Sequence, residues 1–323
     1  MAQLLHTNLN LNTLNLGENE IGGEGAVAIS SSLELNSALT CLHLGANRIG
    51  DVGAISIAKS LQTNSSLTVI HLYENDIGDE GGIPISKALA FNGSLTTLHL
   101  NGNKIGDDSA QYIAKSLESN SSLTIIDLFG NNITHKGAIS IAKSLESNST
   151  LTSLVFGGNK LGPEGAITIA TSLKYNTTLQ NLQLSMNNIG DEGAKAILSL
   201  LCFNSTIKTL NLGYNEIGDE GVKSISESMQ FNTTCTTLFL ESNNIGNEGA
   251  QSIAKILISN STLRNLYIFD NKIGEEGGQY LAKSIQFNST ITSLLFSNNN
   301  IGTISQETLV QKLLLNKELH LAN

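Results

Sequence analysis

Tryptophan is absent, proline occurs twice and cysteine three times in 323 residues, and nowhere do about 18 apolar residues run consecutively. Each scarcity excludes something. Cys41, Cys202 and Cys235 are an odd set without framework spacing, so neither a disulfide scaffold nor a zinc ribbon is supported. No proline-rich or otherwise linker-like stretch separates two halves, so one continuous body is expected where length alone would allow two domains. The first 30 residues lack a basic segment followed by an apolar run, which reads as a soluble, leaderless chain without a membrane partner. Basic residues are also few. With 18 Lys and Arg against 28 Asp and Glu, a net charge of −10 and a pI near 5.1, many phosphate contacts are excluded, and nucleic acid with them.

What the sequence has in abundance is repetition. The segment LTTLHLNGNKIGDDSAQYIAKSLESNSS, residues 95–122, recurs along the chain without an insertion, and one asparagine sets its phase from Asn19, Asn47 and Asn75 to Asn299 in steps of 28. That makes eleven units. Each opens with L-x-x-L-x-L-x-x-N, as in Leu95, Leu98, Leu100 and Asn103, whose last two leucines alternate as on a short strand of about three residues. After a turn, Ala110, Ile113, Ala114 and Leu117 fall on one helical face. Asp79, Asp107, Asp191 and Asp219 stand where these helices want an N-cap, and Lys59, Lys87, Lys115 and Lys143 near their other ends complement the dipole. The repeat asparagine is expected to satisfy loop backbone between neighbouring units, and the sequons at Asn64, Asn92, Asn120 and later positions to mark a recurring helix-to-strand turn.

The L-x-x-L-x-L-x-x-N pattern, followed by I-G-x-E-G-A, resembles the leucine-rich repeat over nearly the whole chain. Among its subtypes it is similar to the 28-residue form of ribonuclease inhibitor, the Ran GTPase-activating protein and the NOD-like receptors. The resemblance implies an α/β class fold, a right-handed solenoid with parallel strands on the concave face and helices on the convex face. Strands stack about 4.8 Å apart and helices no closer than about 8 Å, so each repeat should turn by roughly 18° into a horseshoe. Residues 1–323 are expected to form one such domain, with half-repeats at both ends: Leu5 and Asn8 in phase with Leu33 and Asn36, and a final helix over Ser305–Leu315 with a strand beginning at Leu319.

Core positions are fixed by packing, so partner information must lie in strand residues that vary and face outward. The middle outward position gives His43, His71 and His99, then Asp127, with Tyr73 and Phe129 beside them. Three histidines in one row invite zinc, yet no H-E-x-x-H or comparable spacing accompanies them. They read as a polar contact patch, and no metal or cofactor is expected. Later repeats place Phe239, Tyr267, Phe269 and Leu295, with Tyr214 near, on the same face, and exposed apolar side chains of this kind mark interfaces. Phosphate loops, G-x-S-x-G and recognisable Cys-His pairs are missing.

The expectation is a non-catalytic, monomeric scaffold that binds an unidentified protein on its concave face. The resemblance to NOD-like receptors implies innate-immune or host-interaction sensing in the cytoplasm; a leaderless bacterial effector that imitates a eukaryotic repeat protein inside a host cell is equally compatible, and abundant Asn, Ser and Ile suit it. The resemblance to the Ran-directed family implies a GTPase-activating protein as the alternative.

Overall fold

The L-x-L segment of the repeats, as in Leu98 and Leu100, turns both apolar side chains inward and the residue between them outward, and the computed structural model, which describes residues 5, 8 and 10–321, forms a three-residue strand there each time. The contacts divide the chain after Lys160 into two compact units. The first contains β1 Thr13–Asn15, α1 Gly22–Leu33, β2 Cys41–His43, α2 Gly50–Leu61, β3 Val69–His71, α3 Asp79–Leu89, β4 Thr97–His99, α4 Asp107–Leu117, β5 Ile125–Asp127, α5 His135–Ser144 and β6 Ser153–Val155. The second contains α6 Gly162–Leu173, β7 Asn181–Gln183, α7 Gly190–Leu200, β8 Thr209–Asn211, α8 Asp219–Val222, α9 Ile225–Phe231, β9 Thr237–Phe239, α10 Asn247–Ser259, β10 Asn265–Tyr267, α11 Glu275–Ile285, β11 Ser293–Leu295 and α12 Thr303–Leu321.

Within each unit the strands are parallel and in strict register, each residue opposite its equivalent one repeat on, as in Leu42 to Ile70 and Ile70 to Leu98. Leu238 and Leu266 do the same in the second unit. These central strand residues are fully buried with Leu95, Leu100, Ile105, Ala110, Ile113 and Leu117, so the core lies between sheet and helices as the alternating α/β solenoid requires. Helices approach closely because glycine stands at their contact: a Cβ on Gly249 would meet Asp219 Oδ1 and Ile245 Cγ2 at 2.6 Å each.

Two asparagine ladders join the repeats. Asn103 Oδ1 accepts from the N–H groups of Asn75 and Ile77, while its Nδ2 donates to the carbonyls of Leu72 and Leu100. The turn asparagines do the same at the other end of the strands: Asn64 Nδ2 donates to the Leu33 and Asn36 carbonyls, and its Oδ1 accepts from Leu67 N–H. Asn36 reaches the Leu5 and Asn8 carbonyls in the same way, which places Leu5 and Asn8 in phase.

Three details differ from the sequence expectation. The aspartates do not cap their own helices. Asp79 Oδ1 accepts from Gly106 and Ser109 N–H at 2.9 and 3.0 Å, and Asp219 Oδ1 serves Gly246 and Gly249, so each carboxylate caps the helix of the following repeat. The helix after β8 breaks into α8 and α9 at Lys223–Ser224. There Ser226 and Ser228 hydroxyls donate back to the Lys223 and Ser224 carbonyls. Finally, no strand forms at Leu319, because α12 continues through Leu321; residues 322–323 lie outside the described part. Asn316 stands 28 residues after Asn288 and from within this helix donates to the Asn288 and Ile291 carbonyls, so the last rung of the ladder is helical.

Candidate functional site

The third residue of each strand points away from the core, and parallel register sets His43 beside His71, His71 beside His99 and His99 beside Asp127. Ring centroids are 3.9 and 4.5 Å apart, with planes 10° and 3° from parallel. Coplanar rings would overlap at that spacing, so the imidazoles stand upright off the sheet in a stack. Asp127 closes the row: one oxygen accepts from Phe129 N–H at 2.9 Å and the other lies 3.5 Å from His99 Nδ1. Tyr73 meets His71 edge-on at 6.4 Å and covers Gly45, where any Cβ would run into the ring. Burial, with the neighbouring His43 and His99, lowers the His71 pKa to about 4, which keeps this central imidazole neutral at physiological pH. Phe129 is exposed beside Gly158.

In the second unit Phe239 and Tyr267 occupy the equivalent positions of β9 and β10 and stack with centroids 4.3 Å apart and planes 5° from parallel. They too stand on edge. Lying flat would merely have covered the sheet; upright rings present their rims to solvent. Leu295 follows in register on β11 and is exposed, Phe269 is half-buried in the loop after β10, and Tyr214 is exposed at a left-handed turn residue beyond β8, off the strand row. Phe239, Tyr267 and Leu295 therefore form one contiguous strip, and Tyr214, whose N–H donates to the Glu241 carbonyl, lies in the turn beside it rather than in the strand row.

Three features lie outside the candidate residues named from the sequence. Cys41 shares the outward face with His43, two residues on, and its Sγ lies 3.2 Å from His43 Nε2. Burial raises its thiol pKa. Of the other cysteines, Cys235 replaces a core leucine and is pushed by burial up to about 12, whereas Cys202 is exposed. Glu241, after β9, is only 8% exposed and packs over Gly213; its Oε2 has no hydrogen-bond partner and burial raises its carboxyl pKa. Lastly, Tyr175, Phe203, Phe231 and Phe287 are between 63% and 82% exposed at the helix-to-strand turn, with Lys174 Nζ 4.3 Å from the Phe203 ring centroid. The legible signal for these rings was their fixed place, one residue before the turn asparagine.

Ten segments of the sequence, 7–30, 35–58 and so on at the same interval to 259–282, match the Leucine Rich repeat family, and the chain belongs to it. Among solved structures, an internalin of Listeria monocytogenes is 20% identical with a TM-score of 0.46, covering 92% of this chain and 89% of its own. The second actin-binding site of leiomodin-1 is 18% identical with a TM-score of 0.38, covering 57% and 90%. No match was found among curated proteins. Among the described residues, no helix is long and apolar enough to cross a membrane.

Proposed function

We propose that this chain is a non-catalytic scaffold that holds a partner protein against the outward face of its strands. The observation that carries the reading is the Phe239–Tyr267 stack, two aromatic rings raised on edge in adjacent strands and continued by Leu295. Rigid aromatic groups of this kind anchor protein interfaces because they bring large contact area at little cost in rotamer entropy. The leucine-rich repeat family, used generally for binding, supports the same conclusion. The His43–His71–His99–Asp127 row, with Tyr73 and Phe129, offers a second, polar contact strip in the first unit.

The turn aromatics Tyr175, Phe203 and Phe231 compete for this role. They sit one per repeat, and Lys174 Nζ lies 5.4 Å from the Tyr175 and 4.3 Å from the Phe203 ring centroid, so a cation bridges rings that do not stack on one another as Phe239 and Tyr267 do. The 28-residue period and the full helices of ten or more residues in most repeats favour the ribonuclease-inhibitor-like subtype. Its likeness to NOD-like receptor repeats favours innate-immune or host–pathogen recognition as the setting. In affinity capture of a partner, Phe239→Ala and Tyr267→Ala should each weaken retention by about 1–3 kcal/mol; retention equal to wild type in both variants would remove the stack from the interface.

A further inference from the structure

Cys41, His43 and His71 present one ligand atom each, and these three atoms lie within 4.8 Å of one another. We propose that they form a metal site for a borderline divalent cation of the zinc class, bound by one thiolate and two imidazoles with a fourth position open to water or to a group from a bound partner. The donor set decides the class. Mixed sulfur and imidazole ligation suits zinc, whereas oxygen-seeking magnesium and calcium would find nothing here.

The sulfur–nitrogen spacing is close to what zinc requires. Tetrahedral ligation at Zn–S of about 2.3 Å and Zn–N of about 2.0–2.1 Å places sulfur roughly 3.5 Å from each nitrogen and the nitrogens roughly 3.3 Å apart. Cys41 Sγ and His43 Nε2 are already 3.2 Å apart. For the third ligand the His43–His71 stack, 3.9 Å apart and 10° from parallel, must open by side-chain rotation, because each imidazole binds a metal in its own ring plane. Cys41 and His43 are i and i+2 on β2, and His71 is paired with His43 on β3, so the backbone that carries all three is fixed by the sheet. Next in the row, His99 stacks on the far side of His71 and faces Asp127, which leaves it outside the cluster.

Metal binding releases the Cys41 thiol proton to solvent and leaves one positive charge on the site, since a coordinating thiol is deprotonated outright. Without metal, the same three residues would make only a thiol–imidazole hydrogen bond beside a ring stack. The two states differ in a spectroscopic signature.

The test is titration of the purified full chain with Co²⁺, followed in the near ultraviolet and visible, then with Zn²⁺ as competitor. Wild type should take up one equivalent with a sulfur-to-cobalt charge-transfer band that Zn²⁺ abolishes. Cys41→Ser should lose the band, and His43→Ala and His71→Ala should each weaken binding by about tenfold or more. Cys202→Ser and His99→Ala should keep the band. Circular dichroism unchanged from wild type confirms that each variant is folded. No charge-transfer band in wild type, or a band that survives Cys41→Ser, would overturn the site.

Discussion

Asn103 shows how much a single side chain does in this fold. Its amide closes four bonds of 2.9–3.0 Å to backbone groups of its own repeat and the preceding one. Asn103→Ala would leave buried N–H and C=O groups unpaired, each worth on the order of 1–3 kcal/mol, so urea unfolding should show a loss of about 3 kcal/mol. A loss below about 0.5 kcal/mol, the range of ordinary surface substitutions, would refute the ladder's role. Glu241 is the opposite case, a buried carboxylate with an orphan oxygen. Its folded pKa is raised above the ordinary 4.5, so its contribution is fully present below that value and is lost as pH rises through the raised one. Glu241→Gln should therefore be more stable than wild type at neutral pH and should flatten the decline in urea midpoint between acid and neutral conditions. The asparagine was legible in the sequence because it recurs in phase. Glu241 and Cys41 were not, since each occurs once and means something only beside Gly213 or His43.

At the scale of elements, the strands and helices were readable from period and alternation, but the caps were not. A local pattern places Asp79 at the start of a helix; only the stacking of repeats shows that its carboxylate faces Gly106 and Ser109, 27 and 30 residues on. Asp79→Ala should cost about 1 kcal/mol and should lower amide-exchange protection in the first turn of α4 rather than α3. Loss of protection in α3 with α4 unchanged would restore the within-repeat cap. The continuation of α12 through Leu321, where a strand was expected, has a related cause. Asn316 occupies the ladder position from inside the helix and satisfies the buried Asn288 and Ile291 carbonyls there without a further strand.

For the molecule as a whole, one division of labour organises the chain. Residues that repeat bury the core and bind the backbone, and residues that vary along the strands are displayed. The family followed directly from the first set; the second, to which the proposed function assigns the partner, shows its chemistry only when register places His71 on His43 and Tyr267 on Phe239. The exposed turn aromatics are the rival surface, and one measurement separates them. Partner capture with quantitative mass spectrometry should be run on wild type, on Phe239→Ala/Tyr267→Ala and on Phe203→Ala/Phe231→Ala, all confirmed folded. A protein retained by wild type and by the turn variant but lost from the strand variant is the predicted result. Retention by the strand variant with loss from the turn variant would contradict the account.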